Sequence, residues 1–181
     1  MKSLKDILSR GYSYNAPTTD DPSNPKTWYN KGVDVMSQGD FLQAIKYFDK
    51  AIELDPKDVK SWNNKGICLL SISRFDDAIA CIDKTIEIDP QHAFYWYNRG
   101  VCMDRLGHVD EAIQSFDKAI ELYPKYAEAW FNKAVALESK GGEKKAAIDA
   151  WRSYIRISAK DRGQKEWIPK AQERLAKLEE E

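Results

Sequence analysis

Four tryptophans, Trp28, Trp62, Trp96 and Trp130, follow one another at intervals of 34 residues. Each lies in the same local pattern, which reads WYNKG, WNNKG, WYNRG and WFNKA in turn. A nonapeptide recurs at the same interval, as FDKAIELDP, IDKTIEIDP and FDKAIELYP. Repetition at a fixed period of about 20 to 50 residues is typical of arrays whose units bury their apolar faces on one another. The sequence therefore predicts a stack of similar units rather than one globular core.

Within each unit the apolar residues follow helical spacing, first from the tryptophan onward and again after a short break. In the first unit, Phe41, Ala44 and Phe48 lie on one face of the second helix. Residues expected to end the first helices in a left-handed turn are Gly39, Ser73, Gly107 and Gly141–Gly142, of which serine suits that turn less well. Prolines that would stop the second helices are Pro56, Pro90 and Pro124. With no strand pattern in the sequence, the chain is predicted to be all-α.

Small residues recur where two helices are expected to meet. They lie one turn after each tryptophan, at Gly32, Gly66, Gly100 and Ala134. Because glycine has no side chain and alanine only a small one, the two helix axes can approach to the short end of the usual interaxial distance of about 8–10 Å. Larger side chains at Phe48, Ile82 and Phe116 are expected to fill the space alongside.

These residues resemble the tetratricopeptide repeat (TPR), with one departure in every unit, where a basic residue replaces the usual leucine three after the tryptophan. The first unit carries the pattern on Trp28, Gly32, Ala44, Phe48, Ala51 and Pro56. The resemblance implies a right-handed α-solenoid of four helical hairpins with a C-terminal capping helix. The expected boundaries are 1–24 for an N-terminal extension, 25–58, 59–92 and 93–126 for three repeats, 127–161 for a fourth with a one-residue insertion, and 162–181 for the cap.

The two ends of the chain are expected to differ from the repeats. In the cap, Trp167, Ala171, Leu175 and Leu178 follow helical spacing among charged residues. The N-terminal extension is predicted either to be disordered or to form a short amphipathic helix. In the second case, its apolar stripe could dock in the groove of this chain or of a neighbouring copy.

The resemblance also implies that the first helices line a concave groove. One stripe of each first helix packs through the tryptophan, and the adjacent stripe is expected to face the groove. The predicted groove residues are Tyr29, Val33, Met36, Asn63, Ile67, Leu70, Phe94, Tyr97, Val101, Asp104, Phe131, Val135 and Glu138. Their largely aromatic and aliphatic character favours a peptide or helix with apolar anchors. The alternative is that some of these residues simply pack between units.

Acidic chaperone tails are not the expected ligand. Among TPR proteins such tails are held by a clamp of lysine, arginine and asparagine. Here Tyr29, Phe94, Glu128, Asn98 or Asn132 would take the basic places, depending on the alignment of the units. The recurring Asn30, Asn64, Asn98 and Asn132 are explained equally well as polar residues that satisfy neighbouring backbone.

Composition narrows the classes of function. The 28 basic and 29 acidic residues are interleaved, with a formal net charge of −1, which argues against nucleic acid as a main partner. No apolar run is long enough to span a bilayer, and three cysteines without metal-ligand spacing indicate reduced thiols in the cytoplasm. His92 and His108 lie in different turns, and no catalytic or cofactor motif is present, so no enzymatic activity, metal or cofactor is expected.

The sequence therefore predicts a protein–protein interaction module, an adaptor or scaffold that presents its groove to a peptide or helix. The alternative is a structural protein that forms homo-oligomers, by end-to-end stacking or by exchange of the N-terminal arm. The sequence does not identify the partner.

Overall fold

The computed structural model describes residues 21–159 and 167–180. Within those ranges the chain forms helices and no β-strand. The helices are α1 (Pro25–Ser37), α2 (Phe41–Leu54), α3 (Val59–Ser71), α4 (Phe75–Ile88), α5 (Ala93–Arg105), α6 (Val109–Leu122), α7 (Ala127–Lys140), α8 (Lys144–Ser158) and α9 (Ile168–Glu180). The predicted all-α fold is thus confirmed, whereas the predicted N-terminal helix lies outside the described residues.

Successive helices pair as hairpins: α1 with α2, α3 with α4, α5 with α6, and α7 with α8. The chain divides between Asp89 and Pro90 into two compact units. In the first unit α2 also packs on α3, and in the second α6 packs on α7 while α9 packs on α8. Each unit therefore contains two stacked hairpins, and the second adds the C-terminal helix.

The turns inside the hairpins have the left-handed backbone that their sequence predicts. Gly39, Gly107 and Gly141 have φ values of 87°, 81° and 71°. Ser73 takes the same role with φ at 61°, although a side chain makes this conformation less favourable than it is for glycine. The turn geometry is thus retained even where the residue type is unfavourable.

A hydrogen bond that recurs in all four repeats holds each tryptophan against the preceding turn. The indole Nε1 donates to the carbonyl oxygen of the proline six residues earlier, at 2.9 Å for Trp28, 3.0 Å for Trp62, 2.9 Å for Trp96 and 3.0 Å for Trp130. The acceptors are Pro22, Pro56, Pro90 and Pro124. The prolines therefore have a second role besides ending helices, since each one orients the next first helix.

Close contact between glycine and a large side chain joins the two helices of a hairpin. A Cβ added at Gly32 would lie 2.6 Å from Phe48, and one added at Gly100 would lie 2.6 Å from Phe116. At Gly66 the nearest atom, Cγ1 of Ile82, is 3.0 Å away. The predicted pairing of small and large residues is confirmed, and it is tighter where the large residue is phenylalanine.

In the second and fourth repeats, the basic residue three positions after the tryptophan links neighbouring hairpins. Lys65 lies 5.6 Å from the centroid of the Trp62 ring and 2.6 Å from Asp49 on α2. Lys133 repeats this arrangement, 5.6 Å from the Trp130 centroid and 2.5 Å from an acid on α6, Asp117. One lysine therefore contacts both a ring and a carboxylate, which explains why a cation stands where TPR sequences usually have leucine.

The C-terminal helix α9 begins with the same pattern as a first helix. Lys170 lies 5.5 Å from the Trp167 ring centroid, and Ala171 is fully buried against α8. Leu175 and Leu178 pack on the same cluster, which contains Trp151. The predicted apolar side of the cap is confirmed.

All three cysteines are free and buried, as predicted. Burial raises the pKa of the Cys68 thiol to about 12 and also raises the pKa of Cys81. Both thiols therefore stay protonated at neutral pH and pack as small apolar groups.

Alanine at Gly100 and at Gly66 tests the packing of the hairpins. The Gly100→Ala side chain overlaps the Phe116 ring, so we expect the free energy of unfolding to fall by about 1–3 kcal/mol. At Gly66 the neighbouring isoleucine has to move only slightly, and the better helix propensity of alanine, worth about 1 kcal/mol, offsets that cost. Urea denaturation of both variants measures the difference. A Gly100→Ala variant as stable as Gly66→Ala would contradict the proposed contact.

Candidate peptide-binding faces

In the first unit, the predicted groove residues divide into half-exposed and buried positions. Tyr29, Val33 and Leu70 keep part of their surface in contact with solvent. The other three are buried: Met36 is 1% exposed, Ile67 3% and Asn63 8%. In this conformation the buried three have almost no surface for a ligand. The accessible part of the predicted stripe on α1 and α3 is therefore Tyr29, Val33 and Leu70.

In the second unit, α5 presents a more open row. Phe94, Tyr97 and Val101 are half-buried on one side of the helix, and Asp104 is exposed beyond them. The Phe94 and Tyr97 rings stack with centroids 6.5 Å apart. Burial raises the pKa of the Asp104 carboxyl, although the charge of Arg105 acts in the opposite direction. The row on α5 therefore has aromatic side chains at one end and the partly desolvated Asp104 carboxylate at the other.

On α7, the predicted groove residues take part in packing the C-terminal helix. Phe131 makes edge-on contacts with Trp151 and Tyr154, each with centroids 5.2 Å apart, and with Trp167 at 6.1 Å. Val135 packs on the same cluster. The surface that these side chains were expected to offer to a ligand is therefore partly covered by the chain itself.

Glu138, which the sequence placed at the polar rim of the groove, anchors the C-terminal helix. Its Oε1 accepts a hydrogen bond from the Trp151 indole at 2.5 Å, and its Oε2 accepts one from Arg174 of α9 at 2.5 Å. Both carboxylate oxygens are thus used inside the protein. Sequence reasoning missed this role because the partners lie 13 and 36 residues away along the chain.

Two of the recurring asparagines contact the hydroxyl of a tyrosine in the preceding repeat. Asn64 Nδ2 lies 3.4 Å from the hydroxyl of Tyr29, and Asn132 Nδ2 lies 3.1 Å from that of Tyr97. Burial raises the pKa of both tyrosines; near Tyr97 the negative charge of Glu128 adds to this effect. The tyrosine hydroxyls therefore connect consecutive first helices and remain protonated.

Sequence reasoning missed two tyrosines that extend the aromatic row of the second unit. Tyr126 lies 4.9 Å from Tyr97, and Tyr123 lies 6.0 Å from Tyr126, measured between ring centroids. Tyr123 is 52% exposed. The signal for them was the segment YPKY in the turn before α7, where the other repeats have aspartate, asparagine or histidine.

A metal site and a membrane-spanning helix each have requirements against which the described residues can be compared. Residues 21–159 and 167–180 contain no group of three side chains that could hold a metal ion. Among the helices in those ranges, none has the length and apolar character needed to cross a bilayer.

Comparison with known families identifies the fold. Family models of the tetratricopeptide repeat match residues 25–58, residues 93–126, and residues 47–80 together with 115–148. The chain belongs to the tetratricopeptide repeat family. No curated protein matches the sequence of this TPR chain.

Solved structures give the same fold. A crystal structure of MamA matches with a TM-score of 0.75 at 24% identity, covering 86% of this chain and 85% of that one. MamA from Desulfovibrio magneticus RS-1 matches with a TM-score of 0.73 at 22% identity, covering 77% and 78%. The first TPR of Spaghetti (RPAP3), bound to the HSP90 peptide SRMEEVD, matches with a TM-score of 0.64 at 19% identity, covering 67% and 97%. At these identities the likeness concerns the TPR fold alone.

Removing the Glu138 carboxylate tests its role as an anchor. Glu138→Ala leaves the buried Trp151 indole and Arg174 without their acceptor, so we expect unfolding to become easier by about 1–3 kcal/mol. The matched control is Glu179→Ala, which removes the exposed ion pair with Arg152 and costs less than about 1 kcal/mol. Thermal melts and the rate of proteolysis in α9 measure both. Equal stability of the two variants would show that Glu138 is not an anchor.

Proposed function

We propose that this TPR chain is a non-enzymatic protein-interaction module that binds a peptide or helix on the faces of its first helices. The observation that supports this most directly is the half-exposed row of Phe94, Tyr97 and Val101 on α5. The second helices differ, since their exposed sides carry lysine–glutamate pairs such as Lys50–Glu53 and Lys84–Glu87. Large apolar side chains such as Leu42 and Ile88 are exposed on the second helices too. Neighbouring apolar side chains on one helix face, as on α5, are the usual feature of a recognition face.

The affinity expected of such a face is modest. Two or three apolar anchors of a ligand, at about 25 cal/mol per Å² of buried apolar area, contribute a few kcal/mol each before the cost of ordering the ligand. We therefore expect a dissociation constant of roughly micromolar size. The accessible anchor positions proposed here are Tyr29, Val33 and Leu70 in the first unit, with the α5 row in the second.

Catalysis is not part of the proposal. The buried thiols are held protonated, as the raised pKa values of Cys68 and Cys81 indicate, so neither is an activated nucleophile. The two histidines, His92 and His108, precede different helices. Interaction modules are the usual role of TPR repeats, and the cytoplasmic location remains a prediction from the sequence.

The alternative, self-assembly, finds less support at the C-terminal end. The side of α9 away from α8 is polar, with exposed residues Lys170, Gln172, Glu173, Lys177 and Glu180. A polar outer face is the feature by which terminal helices keep repeat arrays from stacking end to end. Exchange of the N-terminal arm involves residues 1–24, most of which lie outside the described residues.

Solution mass separates the two candidates. For an interaction module we expect sedimentation equilibrium to give the mass of one chain, 20.8 kDa, at every loading concentration, because stacking through α9 is unfavourable. A mass that rises with concentration would instead support the self-assembling protein. Deleting residues 1–20 then distinguishes arm exchange from stacking, since only arm exchange would be abolished.

Site-specific photo-crosslinking tests the recognition face itself. We expect p-benzoylphenylalanine at Phe94 or Tyr29 to form adducts with a partner in extracts of the native cell, because these rings lie on the proposed face and are half-exposed. The control position is Leu42 on the second helix α2, which is 63% exposed but lies outside that face. The mass of the adducts distinguishes a foreign partner from a second copy of this chain. Equal labelling from Leu42 would contradict the proposed location.

A further inference from the structure

The second unit presents aromatic rings and carboxylates on the same first helices. We define its aromatic–acidic face as Phe94, Tyr97 and Asp104 on α5, with Tyr126 and Glu128 at the start of α7. The rings contact in sequence, since Phe94 stacks on Tyr97 and Tyr97 lies 4.9 Å from Tyr126. Glu128 is half-buried, and Asp104 is exposed at the far end of the α5 row.

The two carboxylates add negative charge to this face, and Arg105 is the cation that acts on Asp104. Burial is the main cause of the raised pKa of Asp104, which shows that its charge is partly desolvated. Burial is also the main cause of the raised pKa of the Tyr97 and Tyr154 hydroxyls, and the charge of Glu128 adds to it in both. A cation placed on this face would be attracted by the negative charge of both carboxylates.

We propose that the aromatic–acidic face recognises a basic protein segment, a peptide or helix that carries lysine or arginine beside apolar side chains. This inference rests on the proposed peptide-binding function and specifies its ligand. The apolar side chains of the segment pack on the α5 row, while its cations lie over the rings and pair with Asp104 and Glu128. Cations bind aromatic faces through the ring quadrupole, and a carboxylate beside the ring adds direct charge attraction.

The same arrangement already occurs twice inside this chain. Lys65 lies over the Trp62 ring and pairs with Asp49, and Lys133 does the same on α7 with its own tryptophan and aspartate. A lysine that contacts both a ring and a carboxylate is therefore a compatible geometry for these helices. An acidic segment would instead bring like charge toward Asp104 and Glu128, which opposes binding.

Three synthetic 12-residue peptides with the same leucine positions test the ligand chemistry. The remaining positions carry lysine, glutamine or glutamate, and binding to the full chain is measured by fluorescence anisotropy at low and high salt. We expect the lysine peptide to bind about three- to tenfold more tightly than the glutamine peptide at low salt, with the preference shrinking at high salt. The glutamate peptide is expected to bind most weakly.

The decisive variant is Asp104→Asn combined with Glu128→Gln, which should abolish the preference for lysine and leave affinity for the glutamine peptide unchanged. Its matched control, Asp149→Asn with Glu173→Gln, removes two exposed carboxylates elsewhere in the second unit and should keep the preference.

If the lysine and glutamine peptides bind equally, or if the decisive variant keeps the preference, the inference is wrong although the peptide-binding function stands. If none of the three peptides binds, the proposed function fails, and the inference fails with it.

Discussion

The hydrogen bond from each tryptophan indole to the proline carbonyl six residues earlier determines how the rest of the structure is arranged. It ties each first helix to the segment that precedes it, at 2.9–3.0 Å in all four repeats. Because the bond orients the tryptophan stripe toward the packing side, the residue that follows each tryptophan lies on the adjacent side of the helix. Tyr29 and Tyr97 occupy this position, and both retain partial exposure. A packing constraint on one residue thus determines the direction of its neighbour, and the candidate binding faces follow from that direction.

Much of the fold could be predicted because the residue pairs that form the main contacts recur from repeat to repeat. The glycine after the tryptophan and the phenylalanine sixteen residues later occur together at Gly32 and Phe48 and again at Gly100 and Phe116, and in both places the structure brings them into close contact. Local backbone preferences act in the same direction, as the left-handed turns at Gly39 and Gly107 illustrate. Agreement between local and packing signals makes the hairpins predictable without an alignment.

The accessibility of the candidate sites was harder to predict, because it depends on contacts that occur once rather than in every repeat. Position alone did not distinguish Val33, which keeps exposed surface, from Met36, which is buried one turn later. Glu138 has the helix register of a rim residue, but Trp151 and Arg174 occupy both of its carboxylate oxygens. These pairings join residues that are distant in sequence, and the repeat pattern does not predict them.

The two units share an architecture but present different chemistry, and this difference bears on partner choice. The accessible row of the first unit is small and uncharged, made of Tyr29, Val33 and Leu70, whereas the α5 row of the second ends in the Asp104 carboxylate. Apolar area contributes affinity without much discrimination, while a partly desolvated charge strongly penalises ligands of the same sign. Under the proposed function, the second unit is therefore expected to select more strongly among partners. Most buried positions of this fold are needed for packing. Under the proposed function, specificity therefore depends on the few side chains that remain exposed when the hairpins stack.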